Sequence, residues 1–132
     1  MTDEVEYLDV DDLVALAAAL LGEPPPVRDL GLLAAAAARP QASAFGDDAY
    51  SDLWTKAAAL LHSVVTSHPL VDGNKRLGWL ASAVFLDMNG ADPTGASNDD
   101  VVDLVMHVAA HPIEVDELAP RLRAIVGRGS RR

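Results

Sequence analysis

Residues 53–88 read LWTKAAALLHSVVTSHPLVDGNKRLGWLASAVFLDM, and the predicted fold follows from the pattern of this segment. Two long helix-forming segments flank a short break that begins with His68 and Pro69. Because a proline disfavours helical backbone in the residue before it, the earlier helix is predicted to end at about His68. The later helix is predicted to begin near Gly73 and to end at Asn89, where a glycine follows.

The later of the two helices is apolar almost all round. Between Leu77 and Met88, its only residues that are not apolar are Gly78, Ser82 and Asp87. A helix of this kind is normally surrounded by other helices. We therefore expect it to form the buried centre of a bundle, with its first turn held in a fixed position.

Helix start and stop signals on both sides of this stretch predict the rest of the fold. Segments rich in Leu and Ala, bounded by capping residues, glycine or proline, are predicted to be helical over residues 10–22, 28–38, 48–67, 98–111 and 116–126. The expected caps include Asp9, Asp47 and Asn98. The predicted fold class is all-α, a compact single domain over residues 1–132 with about six helices around a buried central helix and a core of about residues 8–126.

Composition narrows the possible functions. The chain of 132 residues has no cysteine, a formal net charge of −10 and no apolar stretch of membrane-spanning length. Excess negative charge opposes binding to nucleic-acid phosphates, so we expect neither a direct nucleic-acid partner nor a membrane partner. The acidic N-terminus lacks the features of a secretion signal, which favours a cytoplasmic location. The end of the chain, with Arg131 and Arg132, is predicted to be a flexible, solvated tail.

The segment from His68 to Arg76 reads HPLVDGNKR and is the candidate site. Lys75 and Arg76 fall in the first turn of the predicted helix, where the helix dipole makes each cation unfavourable by roughly 0.3–1 kcal/mol. A bound anion would reverse that sign, because the free backbone N–H groups and both cations would converge on it. The pattern therefore predicts a phosphate site at this helix start, with Gly73 allowing a ligand to approach the backbone closely.

Three polar side chains in this segment each have a structural and a functional interpretation. Asp72 suits the N-cap of the helix, and it also suits a Mg²⁺ ion that bridges to phosphate oxygens. Asn74 would either bond to the local backbone or hold a phosphate. His68 would be a surface histidine or a general base that takes a proton from an attacking hydroxyl. The grouping of a base, a carboxylate, an amide and two cations within nine residues favours the functional interpretation.

At these residues the chain resembles the Fic/Doc family. The family motif is His-x-Phe-x-Asp/Glu-Gly/Ala-Asn-Gly/Lys-Arg, and this chain has Leu70 in place of the phenylalanine. The matching residues are His68, Asp72, Gly73, Asn74, Lys75 and Arg76. The resemblance extends more loosely from Leu8 to about Ile125, and it points to the short Doc branch of the family.

The resemblance implies a function and a role for each matching residue. His68 would be the general base and Asp72 the Mg²⁺ ligand. The remaining matches would form a phosphate cradle for ATP: Gly73, Asn74, Lys75 and Arg76. Doc-like members with lysine at the position of Lys75 are similar to protein kinases, and they transfer the γ-phosphate of ATP to a Ser or Thr hydroxyl of elongation factor Tu. A Phd-type antitoxin silences such toxins.

Departures from the family pattern leave two alternatives open. Members with glycine in place of Lys75 are mostly adenylyltransferases, and they carry a second arginine where this chain has Trp79. AMP transfer is therefore the first alternative. Doc-like toxins tend to have arginine where this chain has Thr66, and asparagine where it has Leu80. The loss of two polar contacts favours the second alternative, a catalytically weak module that binds a partner.

The other histidines are predicted to be structural. His107 and His111 have the i, i+4 spacing that binds metals, but no glutamate follows His107 as in metalloprotease helices, and a proline ends the helix at once. His62 lies on the third helix, six residues before His68, and is predicted to be a surface or packing residue.

Overall fold

The structure, a computed structural model, describes residues 4–129, and that part of the chain contains six α-helices and one short hairpin. The helices are α1 (Val10–Leu21), α2 (Leu30–Ala38), α3 (Leu53–Ser67), α4 (Asn74–Met88), α5 (Asn98–Ala110) and α6 (Val115–Gly129). A single 3-10 turn, Arg39–Gln41, follows α2, and the hairpin pairs β1 (Ser43–Ala44) with β2 (Asp47–Asp48). The predicted all-α class is confirmed, with the hairpin as an addition.

The helices of the described residues are short, and the end of the chain lies outside these residues. No helix within residues 4–129 is long and apolar enough to cross a lipid bilayer. The tail that was predicted to be flexible, with Arg131 and Arg132, lies outside the described residues.

The central helix of the bundle is α3, whereas the sequence pattern favoured α4. Helix α3 contacts α2, α4, α5, α6 and the 3-10 turn, while α4 contacts α1, α3 and α5. Residues 56–61 of α3 are all buried, but Trp79 and Leu80 on α4 remain partly exposed. The two helices pack closely because Gly78 has no side chain: a Cβ there would lie 2.7 Å from Cγ2 of Val65.

The start of α3 was predicted too early. Asp52, and not Asp47, caps the helix, and its carboxylate accepts a hydrogen bond of 2.8 Å from the backbone of the first turn. Residues 43–48 form the hairpin instead. Its turn consists of Phe45 and Gly46, which have φ angles of 55° and 85°. Positive φ at both turn residues is what a two-residue hairpin turn needs, so this segment leaves the helical path.

The remaining boundaries follow the capping side chains. Helix α1 has the predicted cap, Asp9, and ends at Gly22 as expected. Helix α2 begins two residues later than predicted, because Asp29 caps it, and α5 is capped by Ser97 rather than Asn98. The shorter α2 leaves the residues before it extended, and those residues contact the candidate site.

Candidate active site

Helix α3 ends at His68, which has left-handed backbone angles (φ 55°, ψ 58°) and is followed by Pro69. Positive φ is uncommon outside glycine, although histidine is one of the more tolerant residues. The left-handed turn directs the chain out of the helix, and His68 is exposed. The predicted helix end is confirmed, and the histidine stands at the surface beside the loop that leads to α4.

Arg28 holds the backbone at this turn, a role that the sequence patterns did not predict. Its Nε donates to the carbonyl of His68 at 2.8 Å, and its Nη2 donates to the carbonyl of Ser67 at 3.2 Å. The last carbonyls of a helix lack partners within the helix and carry partial negative charge, so a guanidinium is favourable there. One local feature could have indicated this contact. Asp29 is a good helix cap, so Arg28 lies before the start of α2 and its side chain can reach another element.

The loop after His68 is also held through its backbone by the connector before α2. The N–H groups of Arg28 and Asp29 both donate to the carbonyl of Pro69, and that of Val71 donates to the carbonyl of Pro26. Leu70, 1% exposed, buries its side chain in the core. This loop therefore has a defined shape before any ligand binds.

Asn74 closes the loop onto the first residue of α4. Its Oδ1 accepts from the backbone N–H of Leu70 at 2.9 Å, and its Nδ2 donates to the carbonyl of the same residue at 3.0 Å. Of the two interpretations that the sequence left open, the structure has the bonding to local backbone. A contact between Asn74 and phosphate stays a prediction.

Asp72 does not cap α4, and its predicted role as the N-cap is wrong. The N-cap is Gly73, with φ 88°, and no side chain bonds to the first turn of the helix. The Oδ1 of Asp72 instead accepts from the N–H of Gly73 at 2.8 Å. The positive φ turns the chain at the glycine, so the aspartate lies one residue before the capping position. Asp72 is exposed beside the loop.

The packing of the protein itself gives a reason for glycine at position 73. A Cβ at this position would lie 2.7 Å from Cδ1 and 2.9 Å from Cδ2 of Leu21 on α1. The positive φ is a second reason for glycine. Leu21 occupies the side on which a Cβ would lie, and the approach of a ligand to the backbone of Gly73 stays a prediction.

Lys75 and Arg76 occupy the first turn of α4 and are both exposed. No carboxylate within residues 4–129 lies at ion-pair distance from either of them, and the first turn has no side-chain cap. The helix dipole makes this position unfavourable for cations. The structure thus leaves two positive charges without an acidic partner at the positive end of α4. This helix start directly follows the loop that begins at His68.

A mostly apolar groove of 410 Å³ begins beside these cations. It lies between α1, α4 and α5, and its lining residues are Leu20, Lys75, Arg76, Trp79, Leu80, Val101, Val102, Val105 and Met106. Trp79 and Leu80 are two of the positions at which the chain departs from the Fic/Doc pattern described above. They contribute apolar surface, so the groove lacks the polar groups that this pattern has there. We name this cleft the α4 groove.

Thr66, another position at which the chain departs from that pattern, forms a side-chain hydrogen bond within its own helix. Its hydroxyl donates to the carbonyl of His62 at 2.7 Å. A Ser or Thr hydroxyl bonded in this way satisfies itself locally. Thr66 therefore adds no charge near His68, and Arg28 is the cation that reaches the end of α3.

The remaining histidines lie outside the candidate site, and their predicted structural roles stay predictions. The rings of His107 and His111 stack with centroids 4.5 Å apart, and no group of three metal-binding side chains occurs in the described part of the chain. The Nδ1 of His62 lies 2.9 Å from Nη1 of Arg39. Burial lowers the pKa of His62, and the neighbouring charge of Arg39 lowers it further, against a smaller opposite effect of Glu114.

The fold and the site together define a small helical protein with an ordered loop, two exposed cations at the start of the helix after it, and a histidine at its beginning. The model of the Fic/DOC family matches residues 7–86, which is more than half of the chain and runs from before α1 to the last turn of α4. The chain is also similar to a protein named Toxin Doc from Mycolicibacterium smegmatis (strain ATCC 700084 / mc(2)155), with 46% identity over 118 residues, 89% of this chain and 91% of the relative. The chain belongs to the Fic/DOC family.

Proposed function

We propose that this protein is a Doc-type toxin that transfers the γ-phosphate of ATP to a Ser or Thr hydroxyl of a translation protein similar to elongation factor Tu. A Phd-type antitoxin would neutralise it, and the substrate would place the reaction in the cytoplasm. The similarity to a protein named Toxin Doc supports the class. The observation that carries the proposal is the basic pair, Lys75 and Arg76, without acidic partners at the uncapped start of α4.

The polyphosphate of ATP would bind at that helix start. Free N–H groups of the first turn, the helix dipole and the side chains of Lys75 and Arg76 would all act on the same negative charge. Charge-assisted bonds of this kind are roughly twice as strong as neutral ones. Asn74 would act mainly as a positioning residue, because its amide holds the loop at Leu70.

His68 would act as the general base. It would take the proton of the acceptor hydroxyl while the hydroxyl oxygen bonds to the γ-phosphorus and the bond from that phosphorus to the β–γ bridging oxygen breaks. ADP leaves, and the proton stays on the imidazole until solvent removes it. The hydrogen bonds from Arg28 to the carbonyls of Ser67 and His68 fix the backbone from which the imidazole projects.

The residues present fit a Mg²⁺ ion that binds together with the nucleotide. Asp72 uses Oδ1 for the N–H of Gly73, so Oδ2 is available as a ligand. Mg²⁺ is usually held by one or two carboxylates together with phosphate oxygens and water, and one carboxylate is what this loop offers. When bound, the ion would neutralise charge on the phosphates.

Transfer of phosphate rather than AMP is supported by two side chains. Lys75 would fill space that the α-phosphate occupies in relatives with glycine there. Trp79 replaces the second arginine of those relatives and lies on the wall of the α4 groove. The chain therefore supplies no second guanidinium at this position to hold a triphosphate in the orientation for AMP transfer.

The test is ATP labelled separately at the α- and γ-phosphates, incubated with the purified protein and a bacterial lysate. We expect label in a substrate protein from the γ-position alone, and none with His68→Ala. Label from the α-position alone would contradict the kinase proposal and support AMP transfer. His68→Asn is a matched control for folding, because asparagine tolerates the left-handed backbone of this residue.

A partner-binding module without strong activity is the second candidate, and the surroundings of Thr66 and Leu80 favour it. Neither residue supplies a polar contact to the site. Growth arrest on expression that His68→Ala relieves would exclude this candidate. Survival with no difference between the two proteins would support it.

The antitoxin would cover the α4 groove. This cleft combines apolar side chains, including the exposed Val102 and Met106, with the cations Lys75 and Arg76 at one end. An amphipathic antitoxin segment with one carboxylate would satisfy both features. We expect such a segment to compete with ATP and Mg²⁺ in a thermal-shift titration, and binding of both ligands together would contradict this placement.

A further inference from the structure

A second groove, of 640 Å³, runs between α2 and α3 and is separate from the α4 groove. Its lining residues are Leu32, Ala35, Ala36, Ala38, Arg39, Ala42, His62, Ser63, Thr66 and Ser67, and none of them is acidic. The whole chain has a net charge of −10, yet this cleft, like the α4 groove, has no carboxylate in its lining and contains an arginine. We name it the α2–α3 groove.

Arg39 carries the only fixed charge in this lining, and its partners are all neutral. Its Nε donates to the hydroxyl of Tyr50, and its Nη1 contacts Nδ1 of His62 and donates to Oγ of Ser63, each at 2.9 Å. Because a guanidinium only donates, Nδ1 of His62 must accept, which keeps that ring neutral. Across the described residues, no carboxylate lies at ion-pair distance from Arg39.

The guanidinium of Arg39 is thus oriented by three side chains but not neutralised by any of them. It is partly buried against apolar walls, where a charge is screened less than in open water. A carboxylate that entered the groove would gain charge-assisted hydrogen bonds without having to order the arginine first. The complementary ligand is therefore an acidic side chain carried on a segment with apolar neighbours.

The position of the groove relates this ligand to the catalytic histidine. Arg39 contacts α3 at His62, and the far end of the groove is lined by Ser67, the residue before His68. Six residues of helix separate His62 from His68, which is an axial distance of about 9 Å. An extended peptide covers that distance in about three residues.

We propose that the α2–α3 groove binds a segment of the protein substrate, with an acidic side chain on Arg39 about three residues from the Ser or Thr that is modified. This inference rests on the proposed function for the identity of the occupant. It makes Arg39 a specificity-determining residue, because substrates with an uncharged residue at that position would lose their partner for the guanidinium.

Binding is tested first, without nucleotide, so that it does not depend on phosphate transfer. The probe is the peptide Ac-Ala-Glu-Ala-Ala-Thr-Ala-NH₂, with the Gln peptide as its control, titrated into the ¹⁵N-labelled full chain. We expect the Glu peptide to shift the amide signals of Ser63, Thr66 and Ser67 and to bind at least about tenfold more tightly than the Gln peptide. Equal binding of the two peptides would overturn the proposal.

Ala35 provides a variant that leaves the arginine network intact. It lines the groove and lies four residues before Arg39, so Ala35→Glu places a carboxylate at the i, i+4 spacing that pairs with a cation. We expect this variant to lose the preference for the Glu peptide, while the matched Ala35→Gln retains it. An unchanged preference in Ala35→Glu would overturn the proposal even if Arg39→Gln failed to fold.

The same two variants separate the groove from the catalytic site. If the occupant is the substrate, Ala35→Glu transfers label to the lysate substrate at least about fivefold more slowly than Ala35→Gln, while ATP with Mg²⁺ raises the melting temperature of both equally. Transfer at equal rates would overturn the substrate role. If a second copy of the chain covers the groove, wild type sediments as a dimer and Ala35→Glu as a monomer, which would also overturn it.

Discussion

Helices α3 and α4 both carry a lysine in their first turns, but the two lysines have opposite surroundings. Lys56 on α3 is 2% exposed, and its Nζ donates to the carbonyl of Pro40 at 3.3 Å and to Oδ2 of Asp48 at 3.2 Å. Lys75 on α4 is exposed and has no acidic partner in the described part of the chain. The cation of α3 is buried and paired, whereas the cation of α4 is exposed, as the proposed phosphate site requires.

The helix caps differ in the same way. Asp52 caps α3 with a reciprocal pair of hydrogen bonds, while α4 begins at Gly73 without a side-chain cap. Burial lowers the pKa of Lys56, but its contacts with Tyr7 and Asp48 outweigh this, so the pKa is raised above 10.5 and the lysine stays charged. At the start of α3 the lysine therefore has an acidic partner and the helix has a side-chain cap, whereas the described residues provide neither at the start of α4.

Arg76→Gln should have the largest effect on activity, and it tests the difference between the two helix starts most directly. We expect phosphate transfer to fall by about 100- to 1000-fold, because a charged donor to the transferring phosphate is lost. The unfolding free energy should stay unchanged or rise by about 0.3–1 kcal/mol, since a cation leaves the positive end of a helix dipole. Label transfer from γ-labelled ATP and urea denaturation measure the two quantities.

Lys75→Gln is the matched variant for the same site. It should also weaken the increase in melting temperature caused by ATP and Mg²⁺ without any loss of stability in their absence. If both variants bind ATP normally and unfold more easily than wild type, the basic pair is structural and the comparison is wrong.

Lys56→Ala should have the opposite effect, on stability instead of activity. The change removes a buried stem and leaves the carbonyl of Pro40 without its donor, so we expect the unfolding free energy to fall by about 2–4 kcal/mol. Lys56→Met keeps most of the stem and should lose about 1 kcal/mol less. Urea denaturation measures both, and transfer per folded molecule should not change. Equal stability losses for Lys56→Ala and Lys75→Ala would remove the distinction between the two helix starts.

Gly73 and Gly22 provide a smaller test of how tightly the site is built. Both have positive φ, but a Cβ on Gly22 would meet nothing within 4 Å, while one on Gly73 would lie 2.7 Å from Leu21. The backbone of Gly22 (φ 103°, ψ 167°) lies in a region that is essentially restricted to glycine, so Gly22→Ala should cost about 1–3 kcal/mol from strain alone, and Gly73→Ala should cost about 2–3 kcal/mol, of which Leu21→Ala in the same chain should recover the packing part. Denaturation of Gly73→Ala in chains with and without Leu21→Ala measures this part, which reflects the packing of α1 against the loop. An equal cost of Gly73→Ala in both chains would mean that Leu21 moves aside freely.

The parts of this molecule that were predictable from sequence are those set by local signals. The helices, the stop at His68 before Pro69 and the misplaced cations all follow from neighbours along the chain. The hairpin was missed because Phe45 gives no local sign that it will take a positive φ. Arg28 was missed because its partners are carbonyls about forty residues away, and no local pattern encodes such a contact. Asp72 was misplaced by one residue because Gly73 and Leu21 together determine where α4 begins.

The smallest effect concerns pH and the interior of α3. Burial and the charge of Arg39 lower the pKa of His62 below its ordinary 6.5, so the unfolded chain binds this proton more tightly than the folded protein does. The unfolding free energy should therefore fall as the pH decreases through 6.5, and it should stop falling below the lowered pKa of the folded state. Urea denaturation in steps from about pH 7.5 to about pH 5 measures this dependence. His62→Gln should reduce the slope, and a slope that is unchanged in that variant would assign the proton to another group. Helix α3 would then carry a buried charge on Lys56, which Asp48 pairs, whereas a positive charge on His62 would be unfavourable because His62 contacts Arg39. This result would extend the comparison of the two helix starts to the middle of α3.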